Sequence, residues 1–412
     1  MNVYVRELSR ELGRRGYLVD IFTHGPGGRA GPAPGPGHVN SLATVHDDFH
    51  RSSTSQRRGP EIVSPFENVR VIHLSVGPEG SEGKRHLSRH LREFYRELLA
   101  FQEAEGVDYD LIHAHYWLSG WLGLALRDRW QAPLVVMFHT LGELKRGLPV
   151  AEKEPPCRVA IEQRVAQEAD RIICASLPEK RALTEVYGAT AERIDVVPCG
   201  VDLARFRPLD KSLARRELGL NGEKTVLFVG RMEPLKGLDV LLSAAARVDE
   251  PRLKVLVVGG DGEATEELRR LRALSDDLGI GEQVCFVGPV GHDKLPLFYN
   301  AADLCVVPSY YESFCLVALE AMACGTPVVG SRVDGLTVTI RDGETGYLVA
   351  GRGPQPFAER MSLLLGDEEL RESIGRSASE SAADFSWSNV ADAVERIYGE
   401  MLAASVGSAR LP

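Results

Sequence analysis

Residues 308–330 read PSYYESFCLVALEAMACGTPVVG. The segment opens at the end of an apolar run, DLCVVPS, and passes through a short polar turn carrying Glu312. LVALEAMA follows, rich in helix formers, before TPVVGSRV starts a second apolar run. A strand, a helix and another strand in this order specify neighbouring parallel strands joined by a crossover helix. Glu312 and Glu320 have seven residues between them, which predicts one carboxylate just before the helix and the other inside it. The intervening backbone N–H groups then form a helix N-terminus, which binds phosphate through unpaired donors and the helix dipole.

The same alternation extends in both directions. KTVLFVGR at 224–231 predicts a strand, GLDVLLSAAARV a helix from near Gly237, KVLVVGGDG a strand, and residues from about Ala264 to Leu278 a helix. QVCFVGPV, DLCVVPS and TPVVGSRV complete the sheet, with GYLVA at 346–350 as a further strand. Towards the N-terminus, NVRVIHL at 68–74, DLIHAHY at 110–116, PLVVMFHT at 133–140 and DRIICAS at 170–176 read as strands separated by helices, one from about Leu87 to Gly106. IDVVPCGVD at 194–202 ends that half. The expected fold class is α/β, with parallel sheets covered by helices and two facing Rossmann-like domains. Residues 1–205 are expected to form the first domain and 206–384 the second, with a ligand cleft between them. In 385–412 a last helix near Asn389–Leu402, following Phe385 and Trp387, is expected to pack back on the first domain.

The N-terminus departs from this pattern. VYVRELSRELGRRG has helical periodicity, with Val3, Leu8 and Leu12 apolar and Arg6, Arg10 and Arg14 polar, and YLVDIFT follows as a strand. A Rossmann half opens with a strand and a glycine-rich turn before its first helix. The expectation is therefore that a first strand and its loop lie upstream of Met1. Residues 25–60, rich in Gly, Pro, Ser and Arg, read as a long loop.

Composition narrows the classes of function. A chain of 412 residues with 44% hydrophobic and 26% charged residues is in the globular range and too long for one core. A net charge of −10 argues against general nucleic-acid binding. The seven cysteines include no C-x-x-C pair, so no zinc site or disulfide framework is expected, and no Asp-x-Asp metal motif is present. With no apolar run of transmembrane length and no signal peptide, a cytoplasmic location is expected.

Other motifs fall at strand ends. GRMEPLKG at 230–237 places Arg231 and Lys236 between Gly230 and Gly237. Two cations there suit the developing charge of a diphosphate leaving group; the alternative is a pair of solvated surface residues. HAHYWLSG at 113–120 and FHT at 138–140 bring His115, Tyr116, His139 and Thr140 to the cleft. After Lys84, Arg85, Arg89, Arg92 and Arg96 share a helical face beside Leu87, Leu91, Phe94 and Leu98. That face reads either as a solvated stripe over a core stripe, the favoured reading, or as a peripheral membrane contact.

Together these segments resemble glycosyltransferase family 4, whose fold is called GT-B. Its E-x7-E motif matches Glu312 and Glu320, and its R-x4-K pair matches Arg231 and Lys236. The resemblance implies that Gly230, Arg231 and Lys236 hold a donor diphosphate, Glu320 the ribose and Glu312 the transferred sugar, with Phe314, Cys315, Leu316 and Val317 lining the donor site. The family usually has glycine where this chain has Cys315. His139 is implied to contact the transferred sugar as a catalytic residue, together with Arg231, Lys236 and Glu312. Within the family the chain is similar to the N-acetylglucosaminyltransferases that act on inositol 3-phosphate in mycothiol biosynthesis. Their acceptor-phosphate residues match Lys84, Tyr116, Thr140 and Arg158, a set that would form charge-assisted hydrogen bonds. The resemblance thus implies a retaining transfer from a UDP-sugar, UDP-N-acetylglucosamine in the preferred reading, to a small phosphorylated polyol. Sucrose or sucrose-phosphate synthesis, transfer to a lipid acceptor, and a sugar-nucleotide-binding protein inactive through N-terminal truncation are the alternatives. No cofactor is required on this reading, although Mg2+ is compatible with the diphosphate, and so is a homodimer with the chain.

Overall fold

The computed structural model describes residues 1–24, 60–76, 87–148, 150, 154–260 and 265–408. Helix α1 (Asn2–Arg14) leads into β1 (Val19–His24), β2 (Glu61–Phe66) and β3 (Val69–Leu74). These form a three-stranded sheet in the order β1-β3-β2, with β1 parallel and β2 antiparallel to β3. After α2 (Leu87–Glu105) come four parallel strands in sequential order: β4 (Ile112–His115), β5 (Leu134–Met137), β6 (Arg171–Cys174) and β7 (Ile194–Val196). Their connections carry α3 (Trp117–Trp130), α4 (Gly142–Arg146) with α5 (Arg158–Glu168), and α6 (Leu177–Glu185).

The second half begins with α7 (Lys211–Glu217) and builds a six-stranded parallel sheet. Its strands are β8 (Lys224–Val229), β9 (Leu253–Val258), β10 (Val284–Gly288), β11 (Leu304–Val307), β12 (Val328–Ser331) and β13 (Gly346–Val349). They are connected through α8 (Leu238–Ala245), α9 (Glu266–Asp277), α10 (Leu295–Ala301), α11 (Leu316–Ala323) and α12 (Asp334–Thr339). Helices α13 (Pro354–Gly366), α14 (Glu368–Ala382) and α15 (Trp387–Ser408) follow. The order β10-β9-β8-β11-β12-β13 reverses direction between β8 and β11, and ligands of open α/β sheets bind at the carboxyl ends of the strands flanking such a switch point. GRMEPLKG leaves the end of β8 and the turn carrying Glu312 leaves the end of β11, so topology alone brings the two motifs together.

Central strands such as β5 (LVVM) and β11 (LCVV) are buried along their whole length, as expected for strands covered on both faces. One apolar cluster joins the halves, running from Tyr4 and Leu8 through Met137 and Ile173 to Ala318, Trp387 and Val394. Helix α15 lies against α1: Arg15 meets Asp392 at 2.6 Å and Glu395 at 2.7 Å, and the Tyr17 hydroxyl donates to Glu395 at 2.9 Å. Where the chain passes between halves, Val201 N donates to Phe385 O at 2.7 Å, beside a bridge between Val201 and Ser386.

Two expectations are corrected. The first half holds two sheets rather than one parallel sheet, and one of its strands runs antiparallel. That strand, β2 (EIVSPF), is not legible as a strand because Pro65 removes a ladder donor and its first four residues are exposed; an edge position tolerates both. The last helix spans Trp387–Ser408, longer than the periodicity suggested. On α2, Leu98 and Phe101 are buried with Phe94 packed beside them, while Arg89, Arg92 and Arg96 are exposed, and Arg85 lies outside the described residues. No described helix is long and apolar enough to cross a membrane.

Candidate active site

The residues expected on the donor side lie at the switch point. Gly237 adopts φ 66°, and a Cβ there would stand 2.2 Å from the Pro308 carbonyl oxygen, so only glycine lets this loop lie on the end of β11. Tyr310 N donates to Leu235 O at 2.9 Å and fixes the same approach. In consequence Lys236 Nζ reaches Glu312 Oε1 at 2.7 Å, an oxygen that also accepts from Ser309 Oγ at 2.8 Å. Burial opposes the charge on Lys236, but the Glu312 carboxylate outweighs it and holds the ammonium above its ordinary range. Arg231, one residue beyond Gly230, is exposed and pairs with Glu233.

Glu312 lies four residues before α11 and Glu320 within it, as the spacing predicts. Glu320 accepts from the Tyr299 hydroxyl at 2.9 Å and contacts His292 Nε2 at 2.8 Å. The other nitrogen of His292 faces Arg205 at 2.9 Å and Arg6 of α1 at 3.4 Å. Arginine only donates, so Nδ1 is the acceptor and the Nε2 proton points to Glu320. Phe314 and Cys315 are buried, and Leu316 and Val317 open the helix. Cys315 has φ −123° and ψ 94°, an extended conformation open to any side chain, so its backbone does not call for glycine. Burial, followed by the Glu312 charge, pushes its thiol well up, and it stays protonated.

The residues expected on the acceptor side lie at the ends of β4 and β5. Tyr116 and His139 both have positive φ, 81° and 61°, a costly conformation for bulky side chains that concentrates at functional sites. Arg158, at the start of α5, is fully buried. Its Nη2 donates to Thr140 O at 2.8 Å and Thr140 Oγ1 at 3.1 Å, its Nη1 to the Tyr116 hydroxyl at 3.3 Å, and its Nε to Glu162 at 2.7 Å. The guanidinium carbon also sits 5.1 Å from the Tyr116 ring centroid. Tyr116, Thr140 and Arg158 therefore converge, whereas Lys84 lies outside the described residues.

His139 belongs to a row of imidazoles. His115 Nδ1 is 3.0 Å from His139 Nε2, His113 Nδ1 is 2.6 Å from the Tyr398 hydroxyl, and Tyr4 packs edge-on against His115 and His139. Burial depresses all three: His113 to about 3, His115 and His139 well below their ordinary value, the latter two also through neighbouring positive charge. All three are neutral near pH 7. The two sides face each other where Tyr311, one residue from Glu312, comes near Leu141, one residue from Thr140. Sequence reasoning missed Glu162, His292 and Tyr299. Only the Arg158–Glu162 spacing of four residues gave a signal, since His292 and Tyr299 reach Glu320 through tertiary packing.

A parallel-sheet switch point holding a Lys–Glu pair, opposite a strand-end cluster built on arginine and histidine, is the arrangement expected of a glycosyltransferase of GT-B architecture from the resemblance given above. Residues 1–205 match the family described as Glycosyltransferase Family 4, and residues 210–381 match Glycosyl transferases group 1. The chain belongs to glycosyltransferase family 4. It is 42% identical to the D-inositol 3-phosphate glycosyltransferase of Geodermatophilus obscurus, over 98% of this chain and 86% of the relative. It is 40% identical to that of Corynebacterium jeikeium, over 100% and 94%. Among solved structures, sucrose-phosphate synthase from Thermosynechococcus elongatus superposes with a TM-score of 0.83 at 32% identity, covering 98% of this chain and 93% of that one. Among the described residues no cluster of three or more His, Cys, Asp or Glu could hold a metal ion, and the cysteines are free.

Proposed function

We propose that this glycosyltransferase moves N-acetylglucosamine from UDP-N-acetylglucosamine to 1D-myo-inositol 3-phosphate, with retention at the anomeric carbon. The observation that carries the reading is the convergence of Arg158, at the start of α5, with Tyr116 and Thr140, just beyond the ends of β4 and β5, in a chain similar along almost its whole length to D-inositol 3-phosphate glycosyltransferases. Lys236 and Arg231 stabilise the departing diphosphate, helped by the start of α11. Glu312 binds hydroxyls of the transferred sugar and Glu320 those of the ribose, each exchanging a present protein partner for the donor. Mg2+ can accompany the diphosphate without a protein-built metal site.

Retention follows if the acceptor hydroxyl attacks from the side that the diphosphate leaves, with the departing phosphate taking its proton. His139, neutral through burial, contacts the sugar and polarises it without adding charge. Closure of the two halves excludes water and suppresses hydrolysis.

The test is product formation from UDP-N-acetylglucosamine and 1D-myo-inositol 3-phosphate, with the anomeric configuration read by NMR. An α-linked product supports the reading. Hydrolysis alone would indicate no competent acceptor site. Transfer to a fructose phosphate instead would favour a second reading, sucrose-phosphate synthesis, which the 0.83 TM-score motivates.

A further inference from the structure

Arg158 has no nitrogen without a protein partner: Nε is bound to Glu162, Nη2 to Thr140, and Nη1 to Tyr116 and, at 2.7 Å, to Glu154. An acceptor phosphate reaching this guanidinium must displace one of them. Glu162 is fully buried and also accepts from Gly142 N and the Tyr187 hydroxyl, both at 2.9 Å, so its place is fixed by the packing of α4 and α5. Glu154 differs. Its side chain is 25% exposed, and its other oxygen stands 3.5 Å from Lys145 Nζ, on α4. Both recorded partners of this carboxylate are cations, and they are the kind of groups that a phosphate dianion would engage.

We propose that Glu154 is a built-in occupant of the acceptor-phosphate subsite and that Lys145 is a further phosphate-binding residue, completing a ring of Arg158, Tyr116 and Thr140. The inference rests on the acceptor reading given above. When the phosphate arrives, Glu154 swings to solvent and three phosphate oxygens accept from Arg158, Lys145 and the two hydroxyls. Glu162 remains and keeps the buried guanidinium compensated. Burial and then the Arg158 charge lower Lys145 from its ordinary range, with Arg231 contributing in the same direction. Glu154 offsets part of this, and an incoming dianion would take over that role. Glu154 thereby screens the site against weak monoanions and makes phosphate binding a one-for-one anion exchange.

Calorimetric titration of the full chain with 1D-myo-inositol 3-phosphate, in saturating UDP, tests this. Lys145→Gln should weaken binding about tenfold or more, Lys145→Arg should restore most of it, and Glu154→Gln should tighten it severalfold, all with UDP affinity unchanged. Unaltered affinity in Lys145→Gln, or weaker affinity in Glu154→Gln, overturns the inference. Transfer that persists with phosphate binding indifferent to both substitutions sinks this inference alone. Binding that depends on Lys145 without transfer to the phosphorylated polyol sinks the functional reading alone.

Discussion

Lys236 Nζ and Glu312 Oε1 lie 2.7 Å apart across the point where the second sheet reverses its strand order. Each is brought there by a different strand end, and each is the other's counter-charge in this structure. On the proposed function a donor parts them, its diphosphate taking the ammonium and its sugar hydroxyls the carboxylate.

Lys236→Ala should therefore lower kcat by roughly 100-fold to 1,000-fold, the usual cost of losing one preorganised charge stabiliser. Circular dichroism should show an unchanged fold. Activity close to wild type would remove Lys236 from the chemistry.

His292→Ala tests a different link. The imidazole donates to Glu320 while Arg205 and Arg6 hold its other face. Its loss should raise the donor KM by about 10-fold, the lower end of what a hydrogen bond to a charged group contributes, with kcat changing less. An equal fall in kcat and kcat/KM would mean that His292 acts on the transition state directly.

Cys315→Gly should leave donor KM within about threefold of wild type, because the backbone here is extended and needs no glycine. The variant should lose about 1 kcal/mol of stability through added freedom in the unfolded chain and the loss of a buried side chain. A large fall in donor KM would instead mean that the thiol obstructs the nucleotide. Thermal denaturation and initial rates decide between these outcomes.

Acid should weaken the fold through the imidazole row. An unfolded histidine titrates near about 6.5 and His113 in the folded chain at about 3, so its stabilising contribution is complete above the former value. It is lost as pH falls between the two, amounting to about 2 kcal/mol for this residue alone at pH 5. His113→Gln should flatten the acid limb of a melting-temperature profile between pH 7 and pH 5. An unchanged slope would assign the acid sensitivity to other groups.

The alternation of apolar runs and helices makes most strands legible, and the seven residues between Glu312 and Glu320 locate α11 and its start correctly. These features are local: period, turn chemistry and helix formers act within a few residues. EIVSPF escapes notice because its pairing with β3, rather than its own pattern, makes it a strand. His292 and Tyr299 escape for a related reason, since their partners are set by how α10 and α11 pack. Arg158 is legible as a cation, while Glu154 and Glu162, each four residues from it, are legible only as a spacing.

The paired crossing at Val201 and Phe385 has a mechanical meaning. The polypeptide changes halves twice, and the two passages are bonded side by side rather than placed at opposite rims. Such an arrangement makes the two passages one hinge, like the spine of a book, while the apolar packing between the halves and the Arg6–His292 contact limit how far the leaves open. Rotation there changes the approach of Lys145, in the first half, to Arg231, in the second, so a crosslink placed near 201 and 385 should cost less turnover than one joining the loops that carry these two residues.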